Sequence, residues 1–134
     1  MKAALSTGAF GMAGAVMRFS VGHWTHGWWS APFPLGTLLV NLSGCLALGW
    51  FASWAESRHA LPSWLRVGVG TGLIGAYTTF STFSMETVSL LQQRLAGLAL
   101  LYVIASLFGG LAFAWLGRRI WLTQNRQSAS GGRS

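Results

Sequence analysis

Carboxylates are almost absent from this sequence, and cysteine and histidine are scarce. Its 134 residues include two acidic side chains, one cysteine and three histidines. Glu56 and Glu86 are 30 positions apart, and no histidine is placed to form a catalytic triad, an acid–base pair or a metal site with them. A single cysteine, Cys45, excludes an internal disulfide framework. These absences predict that the protein is not an enzyme.

Charge of either sign is also rare, and apolar residues take its place. The chain is 52% hydrophobic and 8% charged and has eight tryptophans, a composition that a soluble domain of this size could not hide from water. Its uncharged stretches match spanning helices, which need about 20 apolar residues, and seven of the eight tryptophans fall near their ends. The sequence therefore predicts an all-α integral membrane protein. The four predicted spans cover approximately residues 3–23, 35–55, 65–91 and 95–117.

The net charge of +7 indicates membrane topology and not nucleic-acid binding. The arginines are spread over the predicted loops and the tail, without the basic stripe between aromatics that nucleic acid requires. If both chain ends are cytoplasmic, seven Lys and Arg residues lie on that side and only Arg18 and Arg94 on the other. We expect a multi-pass protein of the cell inner (plasma) membrane, in contact with the lipid bilayer and without a nucleic-acid partner.

The second predicted span contains a strongly polar side chain, the amide of Asn41. Helical spacing puts Thr37 and Gly44 on the same face. An amide without a partner is costly in hydrocarbon, so Asn41 must bond a neighbouring helix, a water molecule or a ligand. A hydrogen bond between helices would by itself explain this residue.

The third predicted span contains the segment GAYTTFSTFS, residues 75–84. It gathers poor helix formers near the middle of the span, which predicts a local break in the helix. Irregular backbone at membrane depth is tolerated where it lies in protein or lines a cavity, and its carbonyls can then coordinate a cation. Beyond the break, Phe80 and Phe83 share one helical face, and Glu86 extends it toward the interface.

The neutral hydrogen-bond donors within the spans suit a passing anion. They are Asn41, Ser81, Thr82, Tyr102 and Ser106. Several weak donors can replace the water around an anion and still release it, whereas a fixed Lys or Arg would bind it too tightly. An aromatic ring has partial positive charge at its edge, so Phe80 and Phe83 can also face an anion, although core packing is the default explanation for such a pair.

Three segments together resemble the Fluc (CrcB) family of fluoride channels. They are GAFGMAGAVMRF (8–19), PLGTLLVNLSGCLALG (34–49) and GTGLIGAYTTFSTFSMET (70–87). The resemblance implies a subunit with four transmembrane helices, the third broken near its middle, that forms an antiparallel dual-topology homodimer. It further implies a fluoride-selective channel with two pores per dimer, which exports fluoride passively and lowers cytoplasmic fluoride.

The resemblance also implies roles for individual residues. Those assigned to the fluoride pore are Asn41, Phe80, Phe83, Ser81, Thr82, Tyr102 and Ser106. Arg18 corresponds to an arginine of the pore vestibule. A central structural sodium ion would be bound by the backbone carbonyls of Gly75 and Thr78 from each subunit.

The charge distribution departs from what this resemblance implies. An antiparallel pair of identical chains calls for insertion in both orientations and therefore for little charge bias, whereas the bias here is seven to two. The channel subunit is expected to cover residues 1–122. Residues 123–134 are polar and are expected to form a disordered tail.

Two other functions remain open from the sequence. A proton-coupled exporter of the small multidrug-resistance kind is also a four-span dual-topology dimer, but it needs a carboxylate within the membrane. Glu86 is the only candidate for that role in this sequence. A structural subunit of a membrane assembly would use Asn41, Phe80 and Phe83 for stability alone.

Overall fold

The regular secondary structure of this chain is helical throughout the part described by a computed structural model. The structure describes residues 1–58 and 60–131, with side chains as far as residue 126. Its elements are α1 (Lys2–His26), α2 (Leu35–Glu56), α3 (Ser63–Val67), a π-helical segment (Gly68–Ile74), α4 (Gly75–Tyr77), α5 (Phe80–Gln92) and α6 (Ala96–Gly131). The predicted all-α fold is therefore confirmed for the described residues.

Two of the described helices are long and apolar enough to cross a bilayer. They are α2, Leu35–Glu56, and the Ala96–Arg126 part of α6, which pack along each other more extensively than any other pair. The 25 residues of α1 extend about 38 Å, which exceeds the hydrocarbon thickness of about 30 Å. Glycines and Arg18 interrupt the apolar run of α1. This helix is therefore long enough to cross a bilayer but less apolar than α2 and α6.

The predicted break in the third span is present, between α4 and α5. Thr78 and Thr79 are both extended, with φ and ψ of −76° and 160° at Thr78 and −147° and 126° at Thr79. The π-helical segment before the break was not predicted. It contains three glycines, which weaken the preference for a regular α-helix, and π-helical turns are frequent at functional sites.

Glycines allow α2 and α6 to approach at backbone distance. A Cβ atom at Gly49 would collide with the carbonyl of Ala114, and one at Gly117 would collide with the carbonyl of Leu46. Small residues at such positions are typical of helix interfaces in membranes, where close contact of the backbones replaces the hydrophobic driving force. This close backbone contact holds α2 and α6 in a fixed position relative to each other.

The i, i+3 and i+4 spacing of Ala4, Gly8, Gly11 and Ala15 describes the packed face of α1 only in part. Ala4 and Gly8 are exposed, and a Cβ atom at Gly8 would meet no described atom of another element within 4 Å. A Cβ atom at Gly11 would lie 3.8 Å from the Gly72 carbonyl oxygen, and one at Gly14 would collide with the Leu73 carbonyl. The packed face of α1 therefore includes Gly11 and Gly14 and lies against the π-helical segment.

We expect Gly117→Ala to destabilise the fold by about 1–3 kcal/mol, because the added methyl group must separate two backbones. Thermal unfolding of the protein in detergent measures this change. Gly8→Ala is the matched control, since nothing described lies near its Cβ atom, and it should leave stability unchanged or slightly higher. Equal unfolding temperatures for Gly117→Ala and the native chain would contradict the packing described above.

Helix α6 continues beyond residue 122, where the sequence predicts that the tail begins. The Thr123 hydroxyl bonds the carbonyls of Arg119 and Ile120, at 3.2 and 2.9 Å, and Trp50 Nε1 donates to Gln124 Oε1 at 3.3 Å. The predicted boundary is therefore not a helix end. Residues 132–134 lie outside the described residues, and disorder of the tail stays a prediction.

Candidate functional site

Asn41 is the residue that fixes the helix break in place. Its Nδ2 donates to the carbonyl of Thr79 at 2.9 Å, and its Oδ1 accepts from the backbone N–H of Thr79 at 2.8 Å. One side-chain amide thus bonds both backbone groups of the extended residue at the break, Thr79. The hypothesis of a hydrogen bond between helices is correct for Asn41, and the partner is the break itself.

The hydroxyls of the GAYTTFSTFS segment gather at the start of α5. Thr79 is its N-cap: Oγ1 accepts from the backbone N–H of Thr82 at 3.2 Å and donates to Thr82 Oγ1 at 3.0 Å. Ser81 Oγ lies 3.2 Å from the same Thr79 oxygen. Thr78 Oγ1 donates back to the carbonyl of Ile74 at 3.1 Å and so closes the end of α4. These hydroxyls first of all cap the two helix ends.

The capping leaves two carbonyls without their helical donors. In an unbroken helix the carbonyl of Gly75 would accept from the N–H of Thr79, and that of Thr78 from the N–H of Thr82. The first N–H is bonded to Asn41 and the second to the Thr79 hydroxyl. Gly75 is also exposed. The Gly75 carbonyl accepts a long hydrogen bond from Thr78 Oγ1, at 3.5 Å, and a carbonyl oxygen has two lone pairs. The two carbonyls assigned to sodium can therefore still face a cation, although one chain supplies too few oxygens to surround it.

A cavity of about 500 Å³ lies against the break. The polar and aromatic residues of its lining include Asn41, Thr78, Thr79, Phe80, Phe83 and Ser106. Ser106 Oγ is buried and has no hydrogen-bond partner in the part of the chain that the structure describes. A buried hydroxyl without a partner costs free energy unless water or a ligand bonds it, which makes Ser106 a candidate binding residue.

Phe80 and Phe83 differ strongly in burial. Their ring centroids are 5.8 Å apart, but Phe80 is 79% exposed, whereas Phe83 lies partly buried with its ring 5.1 Å from that of Tyr102. Core packing therefore explains Phe83 in part and does not explain Phe80. The edge of an aromatic ring carries partial positive charge, so an exposed ring such as that of Phe80 can contact an anion in the cavity.

Tyr102 points away from the cavity, toward Glu86. It is fully buried, and its hydroxyl donates to Glu86 Oε2 at 2.7 Å, while Thr37 Oγ1 donates to Glu86 Oε1 at 2.8 Å. Sequence reasoning placed Glu86 near the interface and did not connect it with either hydroxyl. A carboxylate within an apolar chain needs hydrogen-bond donors. The presence of Glu86 in the third predicted span could therefore have predicted hydroxyl partners for it.

A second cavity, of about 210 Å³, leads to this carboxylate. Its lining includes Thr37, Glu86, His26 and Trp29, at the end of the molecule where α2 begins and α5 ends. Arg18, expected at a vestibule, is half-buried on α1 and contributes to neither of these two cavities in the described chain. Ser81 and Thr82 likewise lie outside both linings, and their assignment to the pore stays a prediction.

The polar side chains that line the larger cavity are those of an amide, three alcohols and a thiol. They belong to Asn41, Thr78, Thr79, Ser106 and Cys45. The described residues contain no group of three His, Cys, Asp or Glu side chains that could hold a metal ion. Neutral donors of this kind can replace part of the hydration of a small anion without holding it permanently.

Comparison with known proteins places the chain in one family. The family model described as CrcB-like protein, Camphor Resistance (CrcB), matches residues 5–118. A protein of Bacillus thuringiensis subsp. konkukian (strain 97-27), named fluoride-specific ion channel FluC 1, is 46% identical over 110 residues, which cover 82% of this chain and 80% of the relative.

Two further relatives have names of the same kind. The fluoride-specific ion channel FluC 2 of Geobacillus kaustophilus (strain HTA426) is 45% identical over 113 residues, 84% of this chain and 88% of the relative. The fluoride-specific ion channel FluC 1 of Moorella thermoacetica (strain ATCC 39073 / JCM 9320) is 48% identical over 101 residues, 75% of this chain and 72% of the relative. From this identity and from the match over residues 5–118, we conclude that the chain belongs to the CrcB family.

Proposed function

We propose that this protein is a fluoride-selective ion channel that exports fluoride passively across the cell inner membrane and so lowers cytoplasmic fluoride. Its relatives are named as fluoride-specific channels. The observation that carries the proposal is the cavity at the helix break, where the unpartnered Ser106 hydroxyl, the Asn41 amide and the exposed Phe80 ring lie together. Each is neutral and can donate to, or present a positive edge to, a small anion.

The proposed path uses the break as a rigid frame for weak donors. Asn41 uses one N–H and its side-chain oxygen to bond Thr79, and its second N–H remains available for an ion. Ser106 supplies a hydroxyl from α6, and the two phenylalanines supply ring edges. A fluoride ion exchanges water for these groups one at a time, so it is never held by a fixed positive charge.

The working assembly is proposed to be an antiparallel homodimer of four-span subunits, with two pores. The cavity beside Phe80 is open on one side in the single chain, and a second copy would close it. Sodium would be bound at the centre by the carbonyls of Gly75 and Thr78 from both copies and would stabilise the broken helix as a structural ion. It would supply charge to backbone oxygens that no N–H satisfies.

Fluoride efflux from liposomes that contain the purified protein tests the proposed function. With potassium fluoride inside and valinomycin present to carry the compensating potassium, a fluoride electrode should record rapid efflux, while chloride efflux from matched liposomes stays at the level of empty vesicles. The efflux should not require a proton gradient. Vesicles that retain fluoride although they contain folded protein would overturn the proposal.

Glu86 distinguishes the channel from a proton-coupled exporter. We expect Glu86→Gln to keep fluoride-selective efflux within about tenfold of the native rate, because an amide oxygen can still accept one of the two hydrogen bonds and lost bonds of this kind cost about 1 kcal/mol each. Efflux of both proteins should be insensitive to a protonophore. Complete loss of transport in Glu86→Gln, with native transport that follows the proton gradient, would favour the exporter.

A further inference from the structure

Two aromatic groups lie on different sides of α6 near its C-terminal part. On the side that faces α2, the rings of Trp50 and Trp54 are stacked at 6.3 Å, and Trp121 meets Trp50 edge-on at 5.8 Å. On the other side, the Arg119 guanidinium lies 4.6 Å from the centre of the Trp115 ring, and Arg118 is the neighbouring residue. We call Trp115, Arg118 and Arg119 the Trp–Arg cluster.

The two arginines of the cluster have no carboxylate partner among the described residues. The chain has only two acidic side chains. Glu86 accepts its hydrogen bonds from Thr37 and Tyr102 near the start of α2, and Glu56 is exposed as the last residue of α2. Arg118 and Arg119 are both exposed and therefore present uncompensated charge to their surroundings.

The position of these arginines along α6 coincides with the edge of a bilayer. Arg118 follows the start of α6 at Ala96 by 22 residues, and at about 1.5 Å per residue this is about 33 Å, close to the thickness of the hydrocarbon core. The tryptophan rings lie at the same level, which they prefer in membranes. Below them, Leu111 and Leu116 are exposed and apolar and can contact acyl chains.

We propose that the Trp–Arg cluster is a binding site for the headgroup of an anionic phospholipid. The guanidinium groups of Arg118 and Arg119 donate N–H pairs that match the oxygens of a phosphodiester. A choline headgroup would bring its own positive charge beside them, and the face of Trp115 on which it could stack is already occupied by Arg119. This inference does not depend on the proposed ion or on the assembly of the channel.

A lipid accounts for this surface better than free phosphate does. Inorganic phosphate would bond the arginines, but it would make no contact with the exposed leucines below them. A phospholipid satisfies both parts of the surface, since its phosphate lies at the level of the arginines and its acyl chains lie beside Leu111 and Leu116. The lipid phosphate would also give Arg118 and Arg119 a counter-charge, since neither has a carboxylate partner among the described residues.

Binding of dioleoylphosphatidylglycerol to the detergent-solubilised protein, followed by native mass spectrometry and by thermal unfolding, tests this proposal. We expect saturable binding that raises the unfolding temperature. Each near-surface arginine contributes about a fivefold change in affinity to an anionic membrane, so Arg119→Gln should weaken binding about fivefold. Arg119→Lys keeps the charge but loses the paired N–H donors of the guanidinium group. Its affinity for the lipid should therefore lie between those of the native chain and Arg119→Gln.

Arg94→Gln is the matched control, because it removes the same charge from an exposed position outside the cluster, in the short connection between α5 and α6. It should bind phosphatidylglycerol as the native chain does. Equal losses in Arg94→Gln and Arg119→Gln would show charge attraction without a site and would overturn the proposal. Equal stabilisation by dioleoylphosphatidylcholine, or displacement of the lipid by millimolar inorganic phosphate, would overturn it as well.

Discussion

Asn41→Asp should reduce fluoride efflux by more than about 30-fold, the equivalent of about 2 kcal/mol. The native amide donates to the Thr79 carbonyl and accepts from the Thr79 N–H. An ionised carboxylate can still accept from that N–H, but its second oxygen faces the carbonyl oxygen without a hydrogen between them. The same substitution places a negative charge beside the path of an anion. Both effects act in the same direction on flux.

Asn125→Asp is the matched control for this experiment. It makes the same chemical change at an exposed position near the end of α6, far from the break, and it should leave efflux unchanged. Thermal unfolding of Asn41→Asp separates a blocked path from an unfolded protein, since a folded but silent variant is expected. Native efflux rates in Asn41→Asp would contradict the role assigned to the amide.

Phe80→Ile should abolish most fluoride efflux and have almost no effect on stability. Because Phe80 is 79% exposed in the single chain, little of its packing is lost when the ring is replaced. Isoleucine keeps the apolar character of the position but has no ring edge to present to an anion. We expect a loss of at least about fivefold in flux, as one edge contact is worth about 1 kcal/mol or more in a dry site.

Two variants control for size and for burial. Phe108→Ile removes a ring that is 63% exposed on α6 and lies outside both cavities, and it should change neither flux nor stability. Phe83→Ile should reduce both, because the Phe83 ring also packs on Tyr102 at 5.1 Å. If Phe80→Ile unfolds the protein as readily as Phe83→Ile, then Phe80 is a packing residue and the proposed path loses its most exposed aromatic ring.

The fold was predictable where one local property determines it. Poor helix formers at residues 75–84 predict a break, and the structure has one at Thr78 and Thr79. Long uncharged stretches predict helices, and α2 follows its stretch closely, whereas α6 begins where predicted but continues past residue 117 to Gly131. The π-helical segment was not predictable, because a π-helix depends on how Gly68–Ile74 packs against α1 and not on composition alone.

The lining of the larger cavity was predictable only in part, and its hydrogen bonds were not predictable. Asn41, Phe80, Phe83 and Ser106 line it, whereas Ser81, Thr82 and Tyr102 do not, and the assignment of all seven to a fluoride pore stays a prediction. The partners of Asn41 and Tyr102 could not be derived from spacing, because each bonds a residue far away in the chain. Helical periodicity says which side chains share a face of one helix, but it does not say how that helix is rotated against its neighbours.

Tyr102 illustrates this limit most clearly. It lies one turn before Ser106, so helical spacing groups the two residues on a single polar track. In the structure Ser106 lines the cavity and Tyr102 is fully buried, with its hydroxyl on Glu86. The length of the tyrosine side chain carries its polar atom to a different place from that of a serine on the same face.

The central claim is that neutral donors and ring edges around the helix break let fluoride pass and hold chloride back. The reversal potential across a planar bilayer that contains the purified protein, with potassium fluoride on one side and potassium chloride on the other, measures this selectivity directly. A reversal potential that follows the fluoride gradient and ignores changes in chloride is the predicted result. A potential that shifts with chloride or potassium, in a bilayer with active protein, would contradict the account.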